Sequence, residues 1–290
     1  MAEELFFDGN TGQTTDFESA LGRIPPGAIV IVSEQHGFIP HQNNQEKVIR
    51  TLNKQGHRVD SALEFIQRRF YRELNSYLQY EISDAEFIEQ IQWGKIPFAP
   101  YKPLIWTPLE SGGRAWGINA DRRITSKVAS CGIEGLSPDE KKELPAEFTL
   151  GNSAYLERFT ETMKDHVPYE KIMRYFAAQS IWDDTMAYEL QKLQHAHPER
   201  TLVVIIGDFH NAYGGGLPDR LKARGAHDIH SISQVVWYDD ETKEELLSEV
   251  SPHAKWGPRG EWVWVEKGSS TMPYLPMLWN VSSEECKNSF

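Results

Sequence analysis

Two short runs, AIVIVS (28–33) and LVVIIG (202–207), constrain this chain more than anything else in it. Each is apolar at nearly every position instead of at alternate ones, so each needs cover on both faces. That is the pattern of a strand inside a parallel sheet packed between helices. Both runs stop at a small residue, and a histidine follows three positions later: His36 in SEQH and His210 in GDFH. Open parallel sheets gather ligands beyond the carboxyl ends of their strands. Two distant stretches are therefore predicted to bring two imidazoles to one rim.

The remaining pattern supports an α/β chain. RVDSALEF and AWGIN read as further strands, and SISQVVWY and EWVWVEKG as later ones. QNNQEKVIRTLNKQG reads as a helix closed by Gly56, DRRITSKVASCG as one closed by Gly132, and GGGLPDRLKARG as one opened by Pro218. Residues 157–193 are predicted to be mostly helical, broken around Val167-Pro168. A helical insertion is expected at about 67–106, a surface excursion at 136–148 and a frayed tail at about 281–290. The expected fold is a single α/β domain over 1–290: a three-layer α/β/α arrangement with a central, mainly parallel sheet.

Composition sets limits. Of the 290 residues 40% are hydrophobic and 11% aromatic, enough for a packed core. A formal charge of −12 argues against non-specific binding to nucleic acid or anionic membranes. No stretch reaches the roughly 18 apolar residues of a membrane span. The N-terminus has neither a signal-peptide pattern nor a lipobox cysteine, so a cytoplasmic protein is expected. Cys131 and Cys286 lack metal-ligand spacing and read as two reduced thiols.

The strand ends carry the candidate chemistry. Glu34, His36 and His41 offer a carboxylate and two imidazoles, the donor types that hold zinc or another divalent metal; the alternative is an exposed polar loop. Asp208 and His210 add a second pair, before a triple glycine whose N–H groups could approach an anion or merely turn the chain. Tyr213, beside those glycines, is a candidate phenolate ligand for ferric iron or haem. Glu64 closes a strand and could orient a ligating histidine or act as a base. Asn119 and Arg122 follow another strand, and Arg122 could hold an anionic group. Gln179 and Asp183, four apart on a helix, share a face that could support the histidines. No nucleophile elbow, Walker loop or dinucleotide fingerprint occurs at a strand–helix junction.

In this order the motifs resemble those of the ChaN-like haem-binding proteins of the TIKI superfamily. The resemblance runs from about Ile29 to Leu221. It includes SEQH with His36, His41 and Gln45 where the family opens G-E-x-H, then ALEF with Glu64, WGKIPFAPYKPL, GINADRR, CGIEGLSPDEKKELP, AQSIWDDTMA and GDFHNAYGGGLP. It implies an α/β/α fold with its pocket at the strand ends, and two functions. ChaN relatives are membrane-attached haem or iron uptake proteins that bind haem through a tyrosine at a dimer interface, so a homodimer is compatible with it. The wider superfamily is similar to metal-dependent hydrolases with paired G-x-x-H motifs; here the second motif, Gly207 to His210, is intact, and the first has Ser33 in place of glycine. The expectation is thus a haem- or metal-binding protein. His36, His210 and Tyr213 would hold the cofactor, or Glu34, His36, Asp208 and His210 a divalent metal. The alternative is a cytosolic metal-dependent hydrolase in which Glu64 activates water, assisted by Arg122, Asn119 and Asp183. A site decayed into mere structure is the third reading.

Overall fold

In the computed structural model, which describes residues 5–165 and 167–269, the strands form one eight-stranded sheet in the order β2-β1-β8-β7-β3-β6-β4-β5. They are β1 (Leu5–Asp8), β2 (Gln13–Thr14), β3 (Ile29–Glu34), β4 (Arg58–Gln67), β5 (Ala115–Asn119), β6 (Arg200–Gly207), β7 (Ile229–Tyr238) and β8 (Trp262–Gly268). β3 lies at the centre, parallel to β6 on one side and β7 on the other. Among the described strands, β1 pairs antiparallel with β2 and β8, and the other pairings are parallel.

The apolar runs behave as their composition requires. Val30, Val32, Val203 and Ile205 face one core layer, packed against the helix Ile39–Lys54 through Val48, Ile49 and Leu52. Ile29, Ile31, Leu202, Val204 and Ile206 face the other, against Met186, Ala187 and Leu190 of the helix Tyr169–Ala196. Alternate residues thus feed opposite faces, and the sheet is covered on both. A third cluster joins the helices Arg122–Cys131, Ser153–Met163 and Tyr169–Ala196 beyond the sheet.

Several details differ from the sequence expectation. The helix predicted over QNNQEKVIRTLNKQG begins earlier, at Ile39, with Pro40 in its first turn, where a fixed φ and a missing N–H cost nothing. Gly56 follows that helix in the left-handed region (φ 93°), a conformation that favours glycine. β4 runs on to Gln67, and the helical stretch after it extends through Ser111 as the connection to β5. Cys131 is disulfide-bonded, not a reduced thiol; Cys286 lies outside the described residues, as does the expected frayed tail. Disulfides persist in oxidising surroundings, so the cysteines lend no support to a reducing compartment. Among the described residues no helix is long and apolar enough to cross a membrane.

Candidate functional site

Register decides which strand ends meet. Glu34, the last residue of β3, pairs with Gly207, the last of β6, and Leu63 of β4 pairs with Ile205 of β6. Glu34, Gly207 and Glu64 therefore stand together at the carboxyl edge. Gly207 must be small: a Cβ there would sit 2.7 Å from His36 Cε1 and 2.8 Å from its Nε2.

His36 Nδ1 lies 3.0 Å from Glu34 Oε1, and its ring meets Phe65 edge to face at 5.1 Å. The buried Glu34 carboxylate also accepts from the Tyr101 hydroxyl at 2.5 Å and from Gln42 Nε2 at 2.7 Å. Burial alone would lower the pKa of His36, but the hydrogen bond to Glu34 and the charges of Glu64 and Glu34 outweigh it, and the net shift is upward.

His210 is held more tightly. Its Nδ1 is 2.6 Å from Asp183 Oδ1 and its Nε2 is 3.4 Å from Glu64 Oε1. The Asp183 carboxylate accepts in turn from the Tyr155 hydroxyl at 2.9 Å, and Gln179 Nε2 donates to the Tyr155 oxygen at 3.0 Å. Glu64 Oε2 accepts the Gly207 N–H at 2.6 Å. Burial opposes the charge on His210, yet Asp183 and Glu64 outweigh it and raise its pKa to about 10. Burial likewise opposes the charge on Glu64, and His210, His36 and the Gly207 N–H bring its pKa down to about 2. At neutral pH an imidazolium sits between two carboxylates, with both ring N–H groups engaged.

Asp208 is committed elsewhere. Its Oδ1 accepts from Ser33 at 2.5 Å and from Ser233, and its Oδ2 pairs with Arg259 at 2.6 Å. Among the described residues no group of three or more His, Cys, Asp or Glu side chains is arranged to hold a metal ion. Glu34, His36, Asp208 and His210 thus do not come together as a ligand set. His41 is also unsuited to a charged role: it is buried, its Nδ1 accepts the Gln35 N–H at 2.9 Å, and burial lowers its pKa to about 3.

Next to these groups a cavity of about 610 Å³ opens, its wall including His36, Arg158, Phe209, Tyr213, Trp256 and Arg259. Tyr213 is the one tyrosine among the described residues of that wall. Its backbone is left-handed (φ 60°, ψ 15°), which is strained for a tyrosine, and its N–H donates to the Arg259 carbonyl at 2.8 Å. The ring packs against Trp256 at 5.5 Å and His253 at 5.9 Å, with the Arg158 and Arg259 guanidiniums 5.5 and 5.8 Å from its centre. Among the described residues its hydroxyl makes no hydrogen bond. The glycines beside it make room for packing: a Cβ on Gly216 would lie 2.4 Å from the His210 carbonyl oxygen, and one on Gly215 would lie 3.1 Å from Tyr155 Cβ.

Asn119 and Arg122 stand apart. β5 is an edge strand, separated from β6 by β4. Asn119 Oδ1 accepts the Ala120 N–H at 2.8 Å; Arg122 is exposed, and its N–H donates to Gln67. Neither lines the cavity. Conversely, Tyr101, Gln42, Tyr155, Arg158 and Arg259 join the site without having been singled out. The spacing of Tyr155, Arg158 and Phe159 on one helix face was the available signal, since an arginine there interrupts an otherwise apolar stripe.

The fold and site together define an α/β/α protein with a buried charge cluster and a ligand-sized cavity at the carboxyl ends of a parallel sheet. The chain belongs to the family described as "Haem-binding uptake, Tiki superfamily, ChaN", whose model matches residues 20–221. Among solved structures it is similar to ChaN of Campylobacter jejuni, described in cofacial haem binding, with TM-score 0.66 and 16% identity over 92% of this chain and 98% of that one. An erythromycin esterase mutant, EreC in its open conformation, matches with TM-score 0.46 and 15% identity over 81% of this chain and 77% of that one. No curated protein matches in sequence. At 16% identity the likeness to the Campylobacter protein is one of fold.

Proposed function

We propose that this chain binds haem in the strand-end cavity and that Tyr213 supplies the axial ligand. One observation carries the reading: Tyr213 presents a hydroxyl without a hydrogen-bond partner at the wall of a cavity of about 610 Å³, in a strained backbone conformation fixed by the Arg259 carbonyl. The donor set fits the group. Ferric haem takes a phenolate oxygen, and Phe209, Val235, Val236 and Trp256 supply apolar surface for a macrocycle. The family and its Campylobacter relative, described as binding haem, support the same ligand. Haem titration followed at the Soret band tests this. Wild type is expected to saturate near one haem per chain, and Tyr213→Phe to bind at least about tenfold more weakly or with a displaced band. Equal spectra and affinities for the two would overturn the role of Tyr213. A homodimer belongs to the same proposal, and sedimentation with and without haem reads it.

The His36–Glu34 pair beside the His210–Asp183–Glu64 cluster favours a second reading, a hydrolase. Glu34 holds His36 Nδ1, and the half-buried ring lines the cavity, so His36 can take and return a proton. The His210 cation would steady developing negative charge. Glu64 accepts the Gly207 N–H and faces His210 Nε2, so in this reading its part is to hold His210. The arrangement does not require a metal. Turnover of an ester or amide panel by wild type, lost in His36→Ala, would establish this reading, and equal turnover by both would sink it.

A further inference from the structure

The helix Ser153–Met163 buries Tyr155, Arg158 and Phe159 on one face, and the charged member is the anomaly. Arg158 is only 7% exposed. Its Nη2 donates to the Phe209 carbonyl at 2.9 Å, and its guanidinium carbon lies 4.3 Å from the Phe209 ring centre and 5.2 Å from that of Tyr155. Among the described residues no carboxylate lies within ion-pair distance of it. The other arginine of the wall, Arg259, is bound by both Asp208 and Glu249.

The acidic groups of the wall are similarly committed. Glu34 faces His36, Glu161 faces Lys255 at 3.8 Å, and Glu241 accepts the Tyr238 N–H at 2.7 Å. Arg158 is thus a buried cation whose local counter-charge has been spent on its neighbours. Burying a charge without a partner is costly, and burial accordingly pushes the guanidinium's pKa below its usual value. Of its five donors the Phe209 carbonyl uses one, leaving the fork that grips a carboxylate with two parallel bonds. Two further donors of the same wall, Arg259 Nε and Trp256 Nε1, are buried without a partner. The cavity wants acceptors from whatever fills it.

We infer that Arg158 is an anchoring residue for a carboxylate of the bound ligand, so that the cavity selects a planar ring system bearing an acid side chain. The inference rests on the haem reading, in which that carboxylate is a propionate. It gives the site an orientation: Tyr213 addresses the iron and Arg158 the edge of the ring.

The test compares haem with its dimethyl ester, which keeps the iron and ring but loses both negative charges. Each is titrated into wild type, Arg158→Lys and Arg158→Gln at the Soret band, with circular dichroism as the folding control. Wild type is expected to prefer haem over the diester by about 10- to 100-fold. Arg158→Gln should erase that preference by weakening haem alone, and Arg158→Lys should keep part of it. Equal binding of the two ligands by wild type, or an undiminished preference in Arg158→Gln, overturns the inference while leaving haem binding standing. A wild type that answers to neither ligand overturns the haem reading and this inference with it. Should Arg158→Gln fail to fold, the wild-type comparison decides alone.

Discussion

The cation at His210 makes a sharp prediction about pH. Its pKa is raised from 6.5 to about 10. At about 1.4 kcal/mol per pH unit, that corresponds to on the order of 5 kcal/mol of preference for the charged over the neutral imidazole, part of which is offset because burial raises the pKa of Asp183. His210 and Asp183 are each about 1% exposed, so solvent screening takes little away. The same energy underlies the lowered pKa of Glu64, so the two are not added. A raised pKa means that the fold binds the proton more tightly than the unfolded chain does. The stabilisation is therefore complete below about pH 6.5, declines as pH rises, and is gone above about 10. On the acid side, the Glu64 contribution is present above its ordinary 4.5 and is lost as pH falls through about 2. Urea denaturation of wild type from pH 7 to 9 should show stability falling more steeply than in His210→Asn, by up to about 1.4 kcal/mol per pH unit. Carbon-13 histidine NMR of wild type reads the same group directly. An imidazole that titrates below about pH 7.5, or slopes that coincide, would refute the reasoning.

Three other outcomes follow from the geometry. Gly207→Ala puts a methyl 2.7 Å from His36 Cε1; it should displace the ring from Glu34, visible as a shifted His36 NMR signal, and cost about 1–3 kcal/mol in urea melts. Arg259→Ala leaves Asp208 with two serine hydroxyls while keeping the backbone carbonyl that accepts the Tyr213 N–H, so a loss of about 2–4 kcal/mol is expected by calorimetry, less than for a fully buried pair because Arg259 keeps some solvent contact. Leu63→Ala, at a fully buried position of β4, should cost about 2–5 kcal/mol without altering the pH slope assigned to His210.

The centre of the fold was legible because buried parallel strands write their environment at every position. β3, β5 and β6 could be read from their apolar runs, and the helices closed by Gly56 and Gly132 from their punctuation. β1 and β2 could not: LFFD is four residues long, and its strand character comes from antiparallel pairing with Trp262–Val265, more than 250 residues away. The helix Phe17–Leu21, capped by Asp16, is too short for periodicity to register. At the site, strand ends pointed to Glu34, His36, Glu64 and His210, and helical spacing to Gln179 and Asp183, because those arguments are local. Which strand ends become neighbours is a matter of topology, so Asn119 and Arg122 were chosen by the same rule and lie beyond β4. Tyr101, Arg158 and Arg259 come from segments whose own pattern is an ordinary helix or loop, and only tertiary packing brings them to the cavity.

The family match stops at residue 221, yet the cavity does not. Gln234, Val235, Trp256 and Arg259 complete its wall, and Arg259 ties that side to the other through Asp208 and the Tyr213 N–H. The pocket is a seam. One side carries the histidines and carboxylates of the shared segment; the other is drawn from sequence that the family description does not span. Substitutions at Gln234, Val235 or Trp256 therefore change the lining of the cavity without touching the His210–Asp183–Glu64 cluster.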